Sequence, residues 1–166
     1  MDELFLLPPS PIAMPRAYWL TDELSDQIMV VTPSHHNFQR VLSVIENHSP
    51  NKFDMDIVND LYKSHCIIIP HRPYNILTGE FRHKDHRPYF GEDEIWNGTS
   101  ALEEAKFVHF SDAPYPKPWI EASDGQAIGI MPDCQKTGRV WEEDCTDREL
   151  WFGLYKDFRR RRRVSL

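Results

Sequence analysis

The stretch Gln27-Ile28-Met29-Val30-Val31-Thr32, followed directly by Pro33-Ser34, decides which fold class the sequence predicts. A continuous run of β-branched and apolar residues is typical of a buried strand. After Ser34 the apolar residues recur at helical spacing, which predicts a helix that ends near Asn47, before Pro50. The apolar face of this helix consists of Phe38, Val41, Leu42 and Ile45.

The same alternation of strand and helix patterns continues on both sides of this stretch. Residues 11–19 contain a short strand pattern, and Asp54 begins a second helix. Residues 66–69 are another continuous apolar run, which we expect to be a central strand, and residues 107–110 form a further strand. Residues 71–91 are polar, aromatic and turn-rich, which predicts a long loop. Strands that alternate with helices indicate an α/β layer architecture.

The C-terminal part of the chain predicts one more amphipathic helix with a basic end. Its start is the capping box Thr146-x-x-Glu149. Its end is the unbroken arginine run 159–163. Such a run is typical of a nuclear-localisation or polybasic surface patch, or else of a solvated helix end whose charges complement the helix dipole. We favour the solvated helix end.

Charge and hydropathy exclude two classes of function. The 166 residues include 19 basic and 26 acidic side chains, which gives a net charge of −7. An acidic protein repels a phosphate backbone, so we expect no nucleic-acid partner. No apolar run approaches the roughly 20 residues of a membrane span, and the acidic start Met1-Asp2-Glu3 is unlike a secretory signal. We therefore expect no targeting or transmembrane segment in this chain.

Cysteines and glycosylation sequons give a weak indication of compartment. The three cysteines, Cys66, Cys134 and Cys145, are too few for a disulfide scaffold. Cys134 and Cys145 are able to pair in an oxidising lumen, but we expect free thiols. Two sequons occur, Asn47-His48-Ser49 and Asn97-Gly98-Thr99.

The most informative segment for chemistry is residues 109–119, with the sequence HFSDAPYPKPW. It places His109 at the end of a predicted strand and Lys117 on a loop that prolines stiffen. Ligands of open α/β sheets bind beyond the carboxyl ends of the strands. A neutral imidazole is a metal ligand and a lysine ammonium suits phosphate, which together predict a metal-plus-phosphate site. The alternative, which composition alone favours, is a hydrogen-bonded core histidine beside an ordinary loop lysine.

Two further segments carry candidate binding residues. Asp54 and Asp56 at the start of a helix are explained by capping and by the helix dipole, or else by a carboxylate that grips sugar hydroxyls, with Asn59 one turn further on. Thr78 and Gly79 open a polar loop, whose later residues His83, Asp85 and His86 have a spacing that weakly suggests a metal. We favour a loop that lines a polar substrate.

Six segments occur in the order in which one enzyme family carries them, and the chain resembles glycosyltransferase family 8, the glycogenin-like retaining transferases. The likeness is greatest to the fungal branch described as Golgi alpha-N-acetylglucosaminyltransferases. It covers nearly the whole chain, and the HFSD…PKPW piece is its most specific part. The matching segments are residues 1–5, 29–34, 54–59, 77–82, 109–119 and 151–163.

The resemblance implies the C-terminal half of a nucleotide-diphospho-sugar transferase fold of the GT-A type, with the N-terminal nucleotide-binding half absent. Residues 1–145 would be a partial glycosyltransferase domain, and residues 146–166 a C-terminal amphipathic helix with a basic tail. It also implies the Golgi lumen, although the chain has no targeting signal, and full-length relatives that are anchored in a membrane.

By the same resemblance, the reaction is retaining transfer from a UDP-sugar, UDP-N-acetylglucosamine or UDP-glucose, to a glycan or glycoprotein, with manganese as cofactor. His109 would bind the metal, Lys117 would hold the departing diphosphate, and Asp54 would bind the transferred sugar. The remaining substrate-binding residues that the resemblance implies are Asp56, Asn59, Thr78 and Gly79.

The chain departs from the family pattern in ways that change the expected activity. The family's D-x-D metal motif has no counterpart in its usual context, so we expect an incomplete manganese site and little transfer activity from this chain alone. Asp112 and Ala113 also differ from the residues that many members have there. The alternatives are a non-catalytic, truncated remnant that binds a sugar or a protein, and an interaction protein that uses its basic tail.

Overall fold

A three-stranded sheet flanked by helices forms the first of two units, Met1–Asn75 and Ile76–Leu166, into which the chain divides. The computed structural model describes residues 1–138 and 141–164, with the side chains of 124, 163 and 164 excepted. Its architecture is mixed α/β, as the alternating sequence pattern predicts. None of the described helices is both long and apolar enough to cross a membrane.

The sheet of the first unit has the order β2-β1-β3, with β1 at Ile12–Pro15, β2 at Val30–Val31 and β3 at Ile67–Ile69. Strand β1 is antiparallel to β2 and parallel to β3. The expectation of a central strand at residues 66–69 was therefore wrong, since β1 is central and β3 is an edge. Strand β1 has only four residues, follows Pro11 and ends in Pro15. Its alternating pattern is therefore too weak to identify it as the central strand.

Strand β2 is also shorter and more exposed than predicted. Only Val30–Val31 of residues 27–32 pairs with the sheet, and the Val31 side chain is 55% exposed. The run was expected to be a buried strand. An edge strand has a neighbour on one side only, so a β-branched run does not by itself identify a buried position.

Alternate residues of β1 face the two hydrophobic cores of this unit, as the pleat requires. Ala13 packs with Leu4, Ile69 and Tyr74 on one side. Ile12 and Met14 pack with Leu24 and Tyr62 on the other side. The second core is covered by apolar side chains that include Val41, Val58 and Leu61.

Helices α1 (His35–Asn47) and α2 (Asp54–Tyr62) supply those covering side chains. Helix α1 begins as predicted, because Ser34 Oγ accepts a hydrogen bond from the Asn37 N–H at 3.3 Å. Its predicted apolar face is covered in part only, since Phe38 is 57% and Ile45 46% exposed.

The first unit ends with a four-residue turn of helix, α3 (His71–Tyr74). The second unit begins with a parallel pair of two-residue strands, β4 (Ile76–Leu77) and β5 (Val108–His109). A 3-10 helix, Thr78–Arg82, follows β4 directly. Helices α4 (Arg87–Phe90) and α5 (Gly98–Glu104) come before β5.

The rest of the second unit holds a hairpin and two helices. Helix α6 is Asp124–Ile128, strands β6 (Gln135–Lys136) and β7 (Glu143–Asp144) are antiparallel, and helix α7 is Thr146–Val164. Helix α7 begins where a helix was predicted, and the Thr146 N–H is capped by Asp144 Oδ1 at 2.9 Å. Trp151 and Tyr155 of α7 are buried.

The predicted long loop at residues 71–91 was wrong, because α3, β4, the 3-10 helix and α4 all lie within it. Its apolar residues are buried, among them Ile76, Phe81 and Tyr89. Elements of two to five residues are too short to produce a periodic pattern, so turn residues dominate the sequence signal. Residues 111–119 are irregular, as predicted.

The division into 1–145 and 146–166 stays a prediction. Helix α7 begins at its boundary and packs against the 3-10 helix and α5 of the second unit. The last two residues of the predicted basic tail, 165 and 166, lie outside the described residues.

Candidate functional site

Hydrogen bonds join the carboxyl ends of β4 and β5, where the ligand site was predicted. Thr78 Oγ1 accepts from the Ser111 N–H at 3.0 Å, and Ser111 Oγ accepts from the Gly79 N–H at 3.1 Å. A Cβ added at Gly79 would lie 3.0 Å from Ser111 Oγ, so the close approach of the two loops favours glycine. The structure thus brings Thr78 and Gly79 together with the segment that follows His109.

Asp112 is the centre of this arrangement, and sequence analysis noted it only as a departure. Its side chain is fully buried. Oδ2 accepts from Thr78 Oγ1, from the Trp151 indole N–H at 2.9 Å and from the Tyr155 hydroxyl at 2.9 Å. Oδ1 accepts from Arg82 Nη1 at 3.1 Å.

Four donors compensate the desolvation of this carboxylate, and one of them carries a positive charge. Burial and the adjacent Asp112 charge raise the pKa of Tyr155, so its hydroxyl remains a donor at neutral pH. Asp112 therefore fixes the geometry of the strand ends, and its own oxygens are occupied.

His109 is the last residue of β5 and is half-buried. Burial lowers the pKa of His109, the Lys117 charge lowers it further, and Asp112 opposes both. Its imidazole is consequently neutral at pH 7, the form in which histidine binds metals. The sequence prediction of a neutral imidazole at a strand end is in accord with this environment.

Lys117 folds back over the same strand end. Its ammonium donates to the Phe110 carbonyl. An ammonium has three N–H donors, so this bond occupies one of them. The tight turn that precedes it is closed by the Tyr115 N–H, which donates to the Asp112 carbonyl at 2.7 Å.

The other predicted residues, Asp54, Asp56 and Asn59, lie on α2 in the first unit. Helix α2 begins at Asp54 with Phe53 as its N-cap, so the prediction of Asp54 as the cap was wrong by one residue. Asp56 Oδ2 accepts from the Phe53 N–H at 2.9 Å. Asp54 Oδ1 accepts from the Met55 N–H at 3.1 Å.

Asn59 has a structural role in this geometry. Its side chain is buried, and Oδ1 accepts from the Leu24 N–H at 2.9 Å. Nδ2 donates to the carbonyls of Leu24 and Met55, each at 2.8 Å. A role of Asn59 at a substrate stays a prediction, which these three internal hydrogen bonds do not favour.

Asp26 is a partner of Asp54 that sequence analysis did not identify. Burial raises the pKa of Asp26, and the charge of Asp54 and a hydrogen bond with it raise it further. Two adjacent carboxyl groups share protons readily, and perturbed carboxyl groups are enriched at functional sites. The only sequence signal was an acidic residue before a predicted strand, which is too common to select.

The histidine-rich loop of the second unit is organised by Glu80, which is buried. Glu80 Oε1 lies 2.8 Å from His86 Nδ1, and Oε2 lies 3.4 Å from His83 Nδ1. Asp85 instead pairs with Arg87 at 2.5 Å, which lowers the pKa of Asp85 to about 2. These contacts hold the loop itself together.

A disulfide joins Cys134 and Cys145, so the expectation of free thiols was wrong for this pair. Eleven residues of sequence separation and a β6-β7 hairpin bring the two together. Next to it is a polar cavity of about 580 Å³, which Arg82 lines together with His83, Lys84, Asp133, Cys134 and Arg148. Thr78 and Gly79 do not line this cavity, and their role at a substrate stays a prediction.

Comparison with known proteins identifies relatives but no matching fold. No family model matches the chain, and no solved structure matches it. It is similar to a Gibberella zeae protein named glucose N-acetyltransferase 1, with 49% identity over 95% of this chain and 36% of the relative. An Aspergillus fumigatus protein of the same name is 44% identical over 99% of this chain and 47% of the relative.

A Candida albicans protein, also named glucose N-acetyltransferase 1, is 28% identical over 83% of this chain. The chain spans between about a third and a half of the length of these curated relatives. The resemblance to glycosyltransferase family 8 and the GT-A fold both stay predictions, because no family model and no solved structure matches.

Proposed function

We propose that this chain is part of a retaining glycosyltransferase that uses a UDP-sugar donor and a glycan or glycoprotein acceptor. The observation that carries the proposal is 49% and 44% identity, across almost the whole chain, to two proteins whose name describes a transferase. That name couples glucose with an N-acetyl group. We therefore infer UDP-N-acetylglucosamine as the donor, ahead of UDP-glucose.

The proposed role of Lys117 is to stabilise the negative charge of the departing diphosphate. Its ammonium is held at a strand end by the Phe110 carbonyl, so little conformational entropy remains to be lost on binding. A fixed positive charge at the position where negative charge develops lowers the transition-state energy. Thr78 and Gly79, which are bonded to the same strand end, are proposed to line the donor.

Asp54 is the proposed ligand of sugar hydroxyls. The pKa of its neighbour Asp26 is raised, since burial and the Asp54 charge both oppose ionisation of Asp26. The carboxylate oxygens of Asp54 accept hydrogen bonds, which suits them to the hydroxyl groups of a sugar.

The described residues do not by themselves complete a manganese site. His109 offers one nitrogen, whereas a hard divalent cation takes several oxygen ligands. Both oxygens of Asp112, the carboxylate nearest in sequence, are already occupied by donors. The only group of three candidate ligands within the described part is Cys134, Glu143 and Cys145, and its cysteines are disulfide-bonded. We derive no reaction step through the ion, and manganese stays a prediction.

The Golgi lumen is the proposed location. The disulfide between Cys134 and Cys145 supports it, because disulfides persist in oxidising compartments and are rare in the cytosol. A sugar- or protein-binding module without transfer activity is the second candidate, favoured by the incomplete set of metal ligands.

A hybrid protein tests the proposal. The aligned segment of the Gibberella zeae relative is replaced by this chain, and transfer from UDP-N-acetylglucosamine is measured. We expect transfer, and a loss of about a hundredfold in kcat with Lys117→Met. Lys156→Met on the exposed side of α7 is the matched control and should have no effect.

A folded hybrid without transfer would overturn the proposal, and full activity of Lys117→Met would overturn the role of that lysine. Calorimetric titration of the unmodified chain with UDP-N-acetylglucosamine and manganese gives a second measurement. We expect no measurable binding, since the metal ligands are incomplete, and clear binding would contradict that conclusion.

A further inference from the structure

The arginine run at the end of α7 does not form a uniform basic surface. Arg160 and Arg161 pair with Asp157 at 2.7 and 2.5 Å, from positions three and four residues further along the helix. Arg162 Nη1 donates to the Trp119 carbonyl at 2.7 Å. Arg159 is turned inward and is only partly exposed. Of the four arginines whose side chains are described, two therefore share the single carboxylate of Asp157, and the other two face the segment after Lys117.

Arg159 and Arg162 line a cavity of about 390 Å³ in the second unit. This volume lies within the range of roughly 300–1,000 Å³ of small-molecule sites. The remaining lining residues are Pro118, Trp119, Ile120, Glu121 and Ala122. The cavity is thus formed by one short segment of the loop and one face of the helix.

Arg159 carries a polar group that the described part of the chain leaves without a partner. Its Nη2 is closed off from solvent and has no hydrogen-bond acceptor there. A buried guanidinium N–H without an acceptor is costly, more so than a neutral donor, because it carries charge. Arg159 lines the cavity, so a rotation of its guanidinium toward an anion there would give this N–H an acceptor and remove that cost.

The other walls of the cavity fit a sugar rather than a bare anion. The Trp119 side chain is 52% exposed and rests against Phe158, with the ring centres 6.1 Å apart. A fixed aromatic ring with a free face offers an apolar surface to the face of a sugar ring. Glu121 is acidic and exposed, so it accepts hydrogen bonds from hydroxyl groups.

We propose that this cavity binds a sugar phosphate, with the phosphate at Arg159 and Arg162, the ring on Trp119 and a hydroxyl at Glu121. Arginine suits this role because its guanidinium binds phosphate through two parallel N–H donors. The cavity lining begins at Pro118 and does not include Lys117. The proposal does not depend on the transfer function.

Calorimetric titration of the chain with glucose 1-phosphate at low salt tests the site. We expect binding that Arg159→Met and Trp119→Ala each weaken by about tenfold or more. Arg160→Met removes the same charge from a residue that does not line the cavity, and it should leave the affinity nearly unchanged. Circular dichroism and thermal melts establish that each variant is folded.

The control ligands separate this site from its competitors. Glucose and inorganic phosphate should each bind more weakly than glucose 1-phosphate, and equal binding of inorganic phosphate would overturn the sugar part of the proposal. Equal losses with Arg160→Met, or with Lys117→Met, would overturn the cavity as the site. Binding to phosphatidylserine vesicles without binding of glucose 1-phosphate would show a basic surface instead, and would overturn the proposal.

Discussion

Two carboxylate regions of this chain have opposite surroundings. In the second unit, Asp112 is buried and accepts from four donors, among them Arg82. In the first unit, Asp26 and Asp54 lie beside each other, and the pKa of Asp26 is raised. A buried carboxylate surrounded by donors stabilises the fold, whereas a carboxyl beside a like charge is harder to ionise and stays able to bind a proton.

The largest expected effect comes from removing the charge of Asp112. Asp112→Asn leaves the Arg82 guanidinium and two buried donors, from Trp151 and Tyr155, with a poorer acceptor. We expect a loss of about 3–5 kcal/mol in the free energy of unfolding, measured with urea. Asp157→Asn, at an exposed ion pair on α7, should cost less than about 1 kcal/mol. Equal losses in the two variants would show that burial and the four donors give Asp112 no special weight in stability.

The next largest effect is expected at Asn59, whose side chain makes three hydrogen bonds within the first unit. Asn59→Ala removes three hydrogen bonds and leaves the Leu24 backbone groups unpaired. We expect a loss of about 2–4 kcal/mol in urea unfolding. Asn51→Ala, at an exposed position between α1 and α2, is the control. A variant of Asn59 that keeps full stability would return this residue to the list of substrate ligands.

A smaller effect is expected in the titration of His109. The pKa of His109 in the folded chain lies below the ordinary value of 6.5, so folding favours the neutral imidazole. Its contribution to the free energy of unfolding is present above pH 6.5 and is lost as pH falls through the folded pKa. Lys117→Met should raise the pKa of His109, and Asp112→Asn should lower it, measured by NMR of the imidazole. Shifts of the opposite sign would show that the two charges do not act on His109.

The smallest effect is expected at Asp26. The pKa of Asp26 is higher in the folded chain than the ordinary 3.8, so ionisation of Asp26 lowers the free energy of unfolding. The contribution of Asp26 to stability is therefore greatest below pH 3.8, and it is lost as pH rises through the folded pKa. Asp26→Asn should therefore raise the urea midpoint at pH 7 slightly, and this gain should disappear at low pH. Asp54→Asn should lower the pKa of Asp26 by NMR. An unchanged pKa of Asp26 in Asp54→Asn would show that the two carboxyl groups do not interact.

Sequence reasoning succeeded where local physics decides the structure. Helix α1 after Ser34, helix α7 from Thr146 and the proline-stiffened loop after His109 all follow from caps, periodicity or proline content. It failed where contacts are distant in sequence. Asp112 is joined to Thr78, Trp151 and Tyr155 across 34 to 43 residues, and no local pattern encodes such pairs.

Other failures had a similar cause. Strand β1 is central because β2 pairs with one of its edges and β3 with the other. Its four residues contain no local pattern that identifies these two partners. The pairing of Cys134 with Cys145 depends on a short hairpin that sequence analysis did not predict. The candidate residues His109 and Lys117 were found because a strand end followed by a stiff loop is a local feature.

The buried indole of Trp151, which donates to Asp112, gives the second unit its own optical signal. Four of the five tryptophans lie in that unit, and the first unit has only Trp19. Trp151 is shielded from water and Trp141 is almost fully exposed, at 97%. The emission spectrum of the folded chain therefore combines a shielded and a solvated population. Its red shift in denaturant reports chiefly the opening of the second unit, so a Trp151→Phe variant should lose most of that shift.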